Sequence, residues 1–142
     1  MKIAIGCDHG AFEYKQQLVN DLKSLGYDVI DFGTDSEESV DYPVFARKTA
    51  EFVAKTEKSL GIVLCTSGEG VCITANKIKG IRCGLCYNDE VAALMRQHNH
   101  ANMIAFGAKF FTYEEILRRT KIFLTTSEEG GRHQRRVELI EK

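Results

Sequence analysis

The sequence predicts an α/β fold, a single-domain Rossmann-like three-layer α/β/α sandwich around a five-stranded parallel sheet. Two observations lead there. Short apolar runs alternate with segments of helical periodicity from one end of the chain to the other. That alternation builds a parallel sheet covered on both faces, with right-handed crossovers. A chain of 142 residues is also one domain's worth, so residues 1–142 are expected to share one core.

Each element follows from local pattern. Lys2 to Gly6 reads as the first strand. A helix follows, with Tyr14, Leu18, Leu22 and Leu25 on one face and Gly26 as its stop. Tyr27 to Phe32 is the second strand, and the polar stretch Gly33 to Asp41 a loop. Pro43, the only proline, suits the first turn of a helix carrying Phe45, Ala46, Ala50 and Val53. Leu60 to Leu64 is the third strand, Val71 to Lys77 a helix and Ile81 to Cys86 the fourth strand. Glu90 to Gln97 is helical, with Val91, Leu94 and Met95 on one side. Met103 to Gly107 is the fifth strand. Tyr113 to Leu124 is a helix with Ile116, Leu117, Thr120, Phe123 and Leu124 inward. Gly130 and Gly131 then break the chain before a basic helix of about residues 131–141 that carries Val137 and Ile140.

Composition excludes several classes of function. The formal net charge is −1, which gives no electrostatic case for nucleic acid or an acidic membrane surface. No apolar stretch is long enough for a bilayer, and no signal-peptide pattern precedes the first strand. These features predict a cytoplasmic protein. The five cysteines are odd in number, which argues against a disulfide scaffold. Cys83 and Cys86 match C-x-x-C, but residues three apart on a strand face opposite ways and cannot share a metal.

The most informative segment is Cys65-Thr66-Ser67-Gly68-Glu69-Gly70. It places a thiol at the carboxyl end of a buried strand, beside a turn of small residues and a helix start. Such a turn presents backbone N–H groups to an anion, and a helix N-terminus favours thiolate over thiol. A base or nucleophile thus adjoins an oxyanion cradle. A buried cysteine before a tight turn is the plainer reading of the same residues.

In open parallel sheets, ligands bind beyond the carboxyl ends of the strands. The first strand ends at Asp8-His9 and the fifth near Lys109. Asp8 is equally a helix N-cap and His9 a surface histidine. His98-Asn99 precedes the fifth strand and lies either at this edge or away from it. No G-x-G-x-x-G follows the first strand, and Gly68-Glu69-Gly70 lacks the Lys-Ser/Thr of a P-loop. A histidine metal site has thin support, with His98 and His100 two apart and no H-E-x-x-H. Arg132 and Arg136 share a helix face and make a good phosphate clamp, or a solvated basic helix end.

Taken in order, these motifs resemble one family. Gly6-Cys7-Asp8-His9, Asp41-Tyr42-Pro43, the cysteine turn, Ile73 to Arg82, His98-Asn99-His100-Ala101-Asn102 and Gly130 to Arg136 resemble ribose-5-phosphate isomerase B. That family includes the subunits of galactose-6-phosphate isomerase, and the resemblance spans essentially the whole chain. It implies a homodimer, or a dimer of dimers, with active sites at the interface and contacts crossing between subunits. It also implies an aldose–ketose isomerase of the pentose phosphate pathway that needs no metal and no cofactor, acting on a phosphorylated sugar.

Carried over by position, the resemblance makes Cys65 the enediolate-forming base and His98 the group that assists ring opening. Asp8 and Asn99 match sugar-binding groups, and Thr66, Ser67, Gly68, Glu69 and Gly70 the anion hole. His9, Lys109, Arg132 and Arg136 match phosphate-end contacts. The family turn usually reads Cys-Gly-Thr-Gly-x-Gly, so Thr66 replaces a glycine and Glu69 an apolar residue. A carboxylate at Glu69 repels a phosphosugar unless it points to solvent. Some relatives use a glutamate as base, at the position of Val71. Lys109 stands where arginine is common, exchanging a planar fork for a point charge. The expected reaction is interconversion of ribose 5-phosphate and ribulose 5-phosphate. Allose 6-phosphate or galactose 6-phosphate is a near alternative substrate, and a non-catalytic phosphosugar-binding module the rival from another class.

Overall fold

The computed structural model describes all 142 residues. Its strands are β1 (Lys2–Cys7), β2 (Asp28–Asp31), β3 (Ser59–Cys65), β4 (Cys83–Leu85) and β5 (Met103–Gly107). Its α-helices are α1 (Phe12–Ser24), α2 (Tyr42–Lys55), α3 (Glu69–Asn76), α4 (Asp89–Gln97), α5 (Tyr113–Thr125) and α6 (Arg132–Ile140). A single 3-10 turn, His9–Ala11, joins β1 to α1. The five strands form one parallel sheet in the order β2-β1-β3-β5-β4, the expected α/β three-layer architecture.

Alternation along the strands divides the core into two layers. Ile3, Ile5, Ile62, Leu64, Ile104 and Phe106 meet α1, α4 and α5 through Leu18, Leu22, Met95, Ile116 and Phe123. Ala4, Val63, Cys65, Met103 and Ala105 meet α2 and α3 through Ala46, Ala50, Val53, Val71 and Ala75. The second layer is built of smaller side chains, so α2 and α3 lie close to the sheet. Cys83 belongs to the second layer and Cys86 to the first, so the C-x-x-C thiols face opposite ways.

Strand order reverses between β1 and β3, and a crevice opens there at their carboxyl ends. Side chains cap the starts of α4 and α5. Asn88 accepts the Val91 N–H at 2.8 Å, and Thr112 and Glu115 form a reciprocal capping box.

Several expectations need correction. Leu25 is 53% exposed, because it caps α1 after the last inward turn. Ile140 is likewise exposed, and Val137 is the one residue that α6 buries. Lys15, a charged residue, is instead fully buried on α1, where its Nζ meets Asp31 Oδ2 at 2.7 Å. β4 is half the expected length. The Ile81 amide turns back to Ile78 and the Arg82 amide goes to the Asn102 side chain, so the regular ladder begins only at Cys83. No helix is long and apolar enough to cross a membrane.

Candidate active site

The crevice at the β1/β3 ends brings together Cys65, the turn of residues 66–70, Asp8, His9 and Lys109. Cys65 closes β3 and is 5% exposed. Its Sγ accepts the Gly68 N–H at 3.2 Å, which holds the sulfur under the turn. Gly68 has φ +83°, and a Cβ there would sit 2.8 Å from the Phe106 carbonyl carbon. Only glycine fits such a position, in conformation and in space. The turn thereby folds back on β5, and α3 starts at its far side. Ser67 Oγ accepts the Glu69 N–H at 3.2 Å, while the Ser67, Gly70 and Val71 amides have no acceptor within the chain. Unsatisfied amides at a helix start favour negative charge. The Glu69 side chain is exposed.

Beside this turn lies a cavity of about 530 Å³ lined by His9, Thr66, Ala108, Lys109 and the start of α1. His9 Nδ1 accepts the Val40 N–H at 3.1 Å. In the neutral ring the proton then sits on Nε2, which leaves a donor for an anion. Lys109 is fixed at its backbone by donating to the Thr66 carbonyl at 3.1 Å. Asp8 is 7% exposed, and its Oδ1 accepts the Gly10 N–H at 2.9 Å. The plainer reading of Asp8 as an N-cap therefore describes one of its oxygens.

Three residues at this edge carry no sequence pattern that announced them. Tyr42 begins α2 with its ring against Gly70, where a Cβ would lie 2.5 Å from it. Asp41-Tyr42-Pro43 was visible as a motif, but nothing in it aims a side chain. Glu13 and Glu37 line the cavity, and the neighbouring Glu13 carboxyl raises the Glu37 pKa.

The remaining expected residues are elsewhere. α4 runs antiparallel to the strands, so its end delivers His98 and Asn99 to the amino-terminal edge of the sheet. The run from Met103 to Gly107, the partner of Cys65, spans roughly 13 Å at about 3.3 Å per residue. α6 lies at that same edge, with Arg82 Nη1 bonded to Glu141 Oε1 at 2.5 Å. Arg132 and Arg136 are exposed there, away from His9 and Lys109. A phosphate clamp of all four residues therefore does not exist within one chain.

His98 stacks on His133 with centroids 4.1 Å apart and planes 5° from parallel. Glu129 Oε1 lies 4.0 Å from His98 Nε2 and 3.5 Å from His133 Nε2. Desolvation, followed by the adjoining His98 and Arg132, lowers the His133 pKa. The three ligand atoms are within 4.8 Å of one another. Parallel stacked rings do not both point their lone pairs at one centre, so this arrangement is a stack and not a chelate.

Known proteins are similar to this chain in sequence and fold. The ribose/galactose isomerase family model matches residues 3–140. Ribose-5-phosphate isomerase B of Escherichia coli K12 is 45% identical over 139 residues, covering 98% of this chain and 93% of that protein. Among solved structures, ribose-5-phosphate isomerase B of Clostridium thermocellum superposes with a TM-score of 0.97 at 45% identity, covering 99% of this chain and 95% of the other. The Mycoplasma genitalium ribose-5-phosphate isomerase B, solved with ribulose 5-phosphate bound, gives 0.94 at 37% identity, covering 99% and 93%.

Proposed function

We infer the function from one premise: this chain belongs to the ribose/galactose isomerase family. It interconverts ribose 5-phosphate and ribulose 5-phosphate through an enediolate. The observation that carries this reading is the Cys65 sulfur held against a turn with unsatisfied amides, beside a cavity with a histidine and a lysine.

Isomerisation requires a proton to leave C2 of the aldose and arrive at C1, and a second to pass from the C2 oxygen to the C1 oxygen, while negative charge grows on oxygen. Cys65 takes the C2 proton and returns it to C1. The amides around Ser67 and Gly70 meet the enediolate oxygen with no reorganisation at the moment of reaction. Thr66 and Asp8 bound the sugar. His9 and Lys109 face the phosphate, whose binding energy holds the open chain in place.

His98, Asn99, Arg132 and Arg136 stand too far from Cys65 to serve the same chain's crevice. Their opposite-edge position supports a homodimer in which they serve the crevice of a second copy. In that arrangement His98 exchanges a proton with the sugar-ring oxygen during opening, Asn99 binds the sugar, and the two arginines complete the phosphate contacts.

A coupled assay of aldose-to-ketose conversion on a panel of phosphosugars tests the proposal. Turnover of ribose 5-phosphate that disappears in Cys65→Ala is expected. Turnover confined to hexose 6-phosphates would replace the substrate, and binding without turnover of any member would replace the function.

A further inference from the structure

A pair of thiols outside the crevice lies between α3 and β4. Cys72 lies on α3 and packs, half-buried, against the layer beneath α2 and α3. Cys83, the first residue of β4, belongs to that same layer and is 8% exposed. The Cys72 thiol donates to the Cys83 carbonyl at 3.4 Å. Asn76 clamps both segments. Its Oδ1 accepts the Cys83 N–H at 2.8 Å, and its Nδ2 donates to the Cys83 carbonyl at 2.9 Å and the Cys72 carbonyl at 3.1 Å.

We propose that Cys72 and Cys83 are a reversible oxidation site for a hydroperoxide, with Cys72 the attacking thiol and Cys83 the resolving one. The assignment of roles follows from exposure. An oxidant reaches the half-buried Cys72 before the buried Cys83. It follows also from the closeness of the two thiols, which lowers the Cys72 pKa and raises that of Cys83. Cys7 and Cys86 are poor competitors. Burial pushes Cys7 to about 12 and Cys86 to about 11, and the sequence-adjacent partner of each lies on the opposite face or is not a thiol.

The chemistry closes without any group beyond the oxidant. The Cys72 thiolate attacks one peroxide oxygen, an S–O bond forms and the O–O bond breaks. The departing oxygen leaves as an alcohol, or as water from hydrogen peroxide, with the proton the thiol gave up. Cys72 is now a sulfenic acid. The Cys83 sulfur attacks it, an S–S bond forms and the S–O bond breaks, and hydroxide leaves with the Cys83 proton as water. Two electrons pass from sulfur to oxygen, and a dithiol reductant reverses the bond by exchange.

The site does not depend on the isomerase reading, and its test does not use turnover as the main readout. The folded full-length protein is treated with one equivalent of hydrogen peroxide, its remaining thiols are blocked, and the digest is sequenced by tandem mass spectrometry. The expected product joins Cys72 to Cys83, loses two hydrogens, and returns to two thiols with dithiothreitol. In Cys83→Ala the reaction stops at a Cys72 sulfenic acid that dimedone captures. Cys72→Ser leaves Cys83 reduced. Both variants should keep wild-type turnover, since neither side chain lines the crevice. A wild-type product oxidised first at Cys65, or a Cys72 sulfinic acid with no crosslink, would overturn the proposal. So would a Cys72 that reacts only after unfolding.

Discussion

Cys65 stands at the boundary between core and crevice, with its sulfur hydrogen-bonded to the Gly68 amide and its side chain otherwise in the α2/α3 layer. Cys65→Ala is expected to lose nearly all turnover while still binding a phosphosugar, measured by calorimetry. Retained turnover in that variant, with loss in Glu69→Gln, would show that the wrong base was named. His98→Asn should slow ribose 5-phosphate conversion strongly. It should spare solvent exchange of the ribulose 5-phosphate carbon-bound proton, because that step needs no ring opening. Glu37 gives a pH prediction. Its pKa is raised by the neighbouring Glu13 carboxyl, so it stays protonated to a higher pH than an ordinary carboxylate. Above that pH it adds a negative charge beside the phosphate, so substrate affinity should weaken as pH rises through its titration. Glu37→Gln should remove that component of the KM profile. The cysteine turn was legible because a strand, small residues and a helix start are contiguous in sequence. The Val40 amide that orients His9 was not, since a backbone donor in a polar loop has no residue signature.

Helices were read mainly from apolar spacing, and that signal fails at their ends. Leu25 and Ile140 continue the spacing but lie past the last packed turn, where nothing covers them. Lys15 fails the other way. Spacing places it inward and charge places it outward, and Asp31 on β2 resolves the conflict by pairing with it. Ion pairs between elements escape sequence reading for the same reason. Asp89 at the start of α4 accepts from Arg118 and Arg119 of α5, at 2.9 Å from each Nε. Those bonds lower the Asp89 carboxyl below its usual 3.8, and the Thr112 cap lowers that of Glu115 below its usual 4.5. A depressed carboxyl stabilises the fold above its unfolded value, and the contribution is lost as pH falls through the folded one. Both side chains are partly exposed, so the effect is modest. Asp89→Asn should be less stable than the parent near neutrality and show a shallower loss of thermal stability below about pH 4.

For the whole molecule, the sequence order of motifs identified the family but did not show that they divide between two edges of one sheet. That division follows from α4 running against the strands, a consequence of topology that no single motif carries. It makes a complementation experiment decisive for the shared site. Mixed Cys65→Ala and Arg136→Ala chains should regain activity in verified heterodimers, because one crevice carries both lesions and the other carries neither. No recovery would mean that the two residues do not meet across subunits. The same opposite-edge placement has a consequence for measurement. In the proposed shared site a lone chain holds two unmatched half-sites, so catalysis is expected to be a property of pairs and to obey mass action. Serial dilution should leave the rate per chain constant down to the dissociation constant of the pair and then make it fall. A ligand that bridges both halves should delay that fall, by holding the pair together.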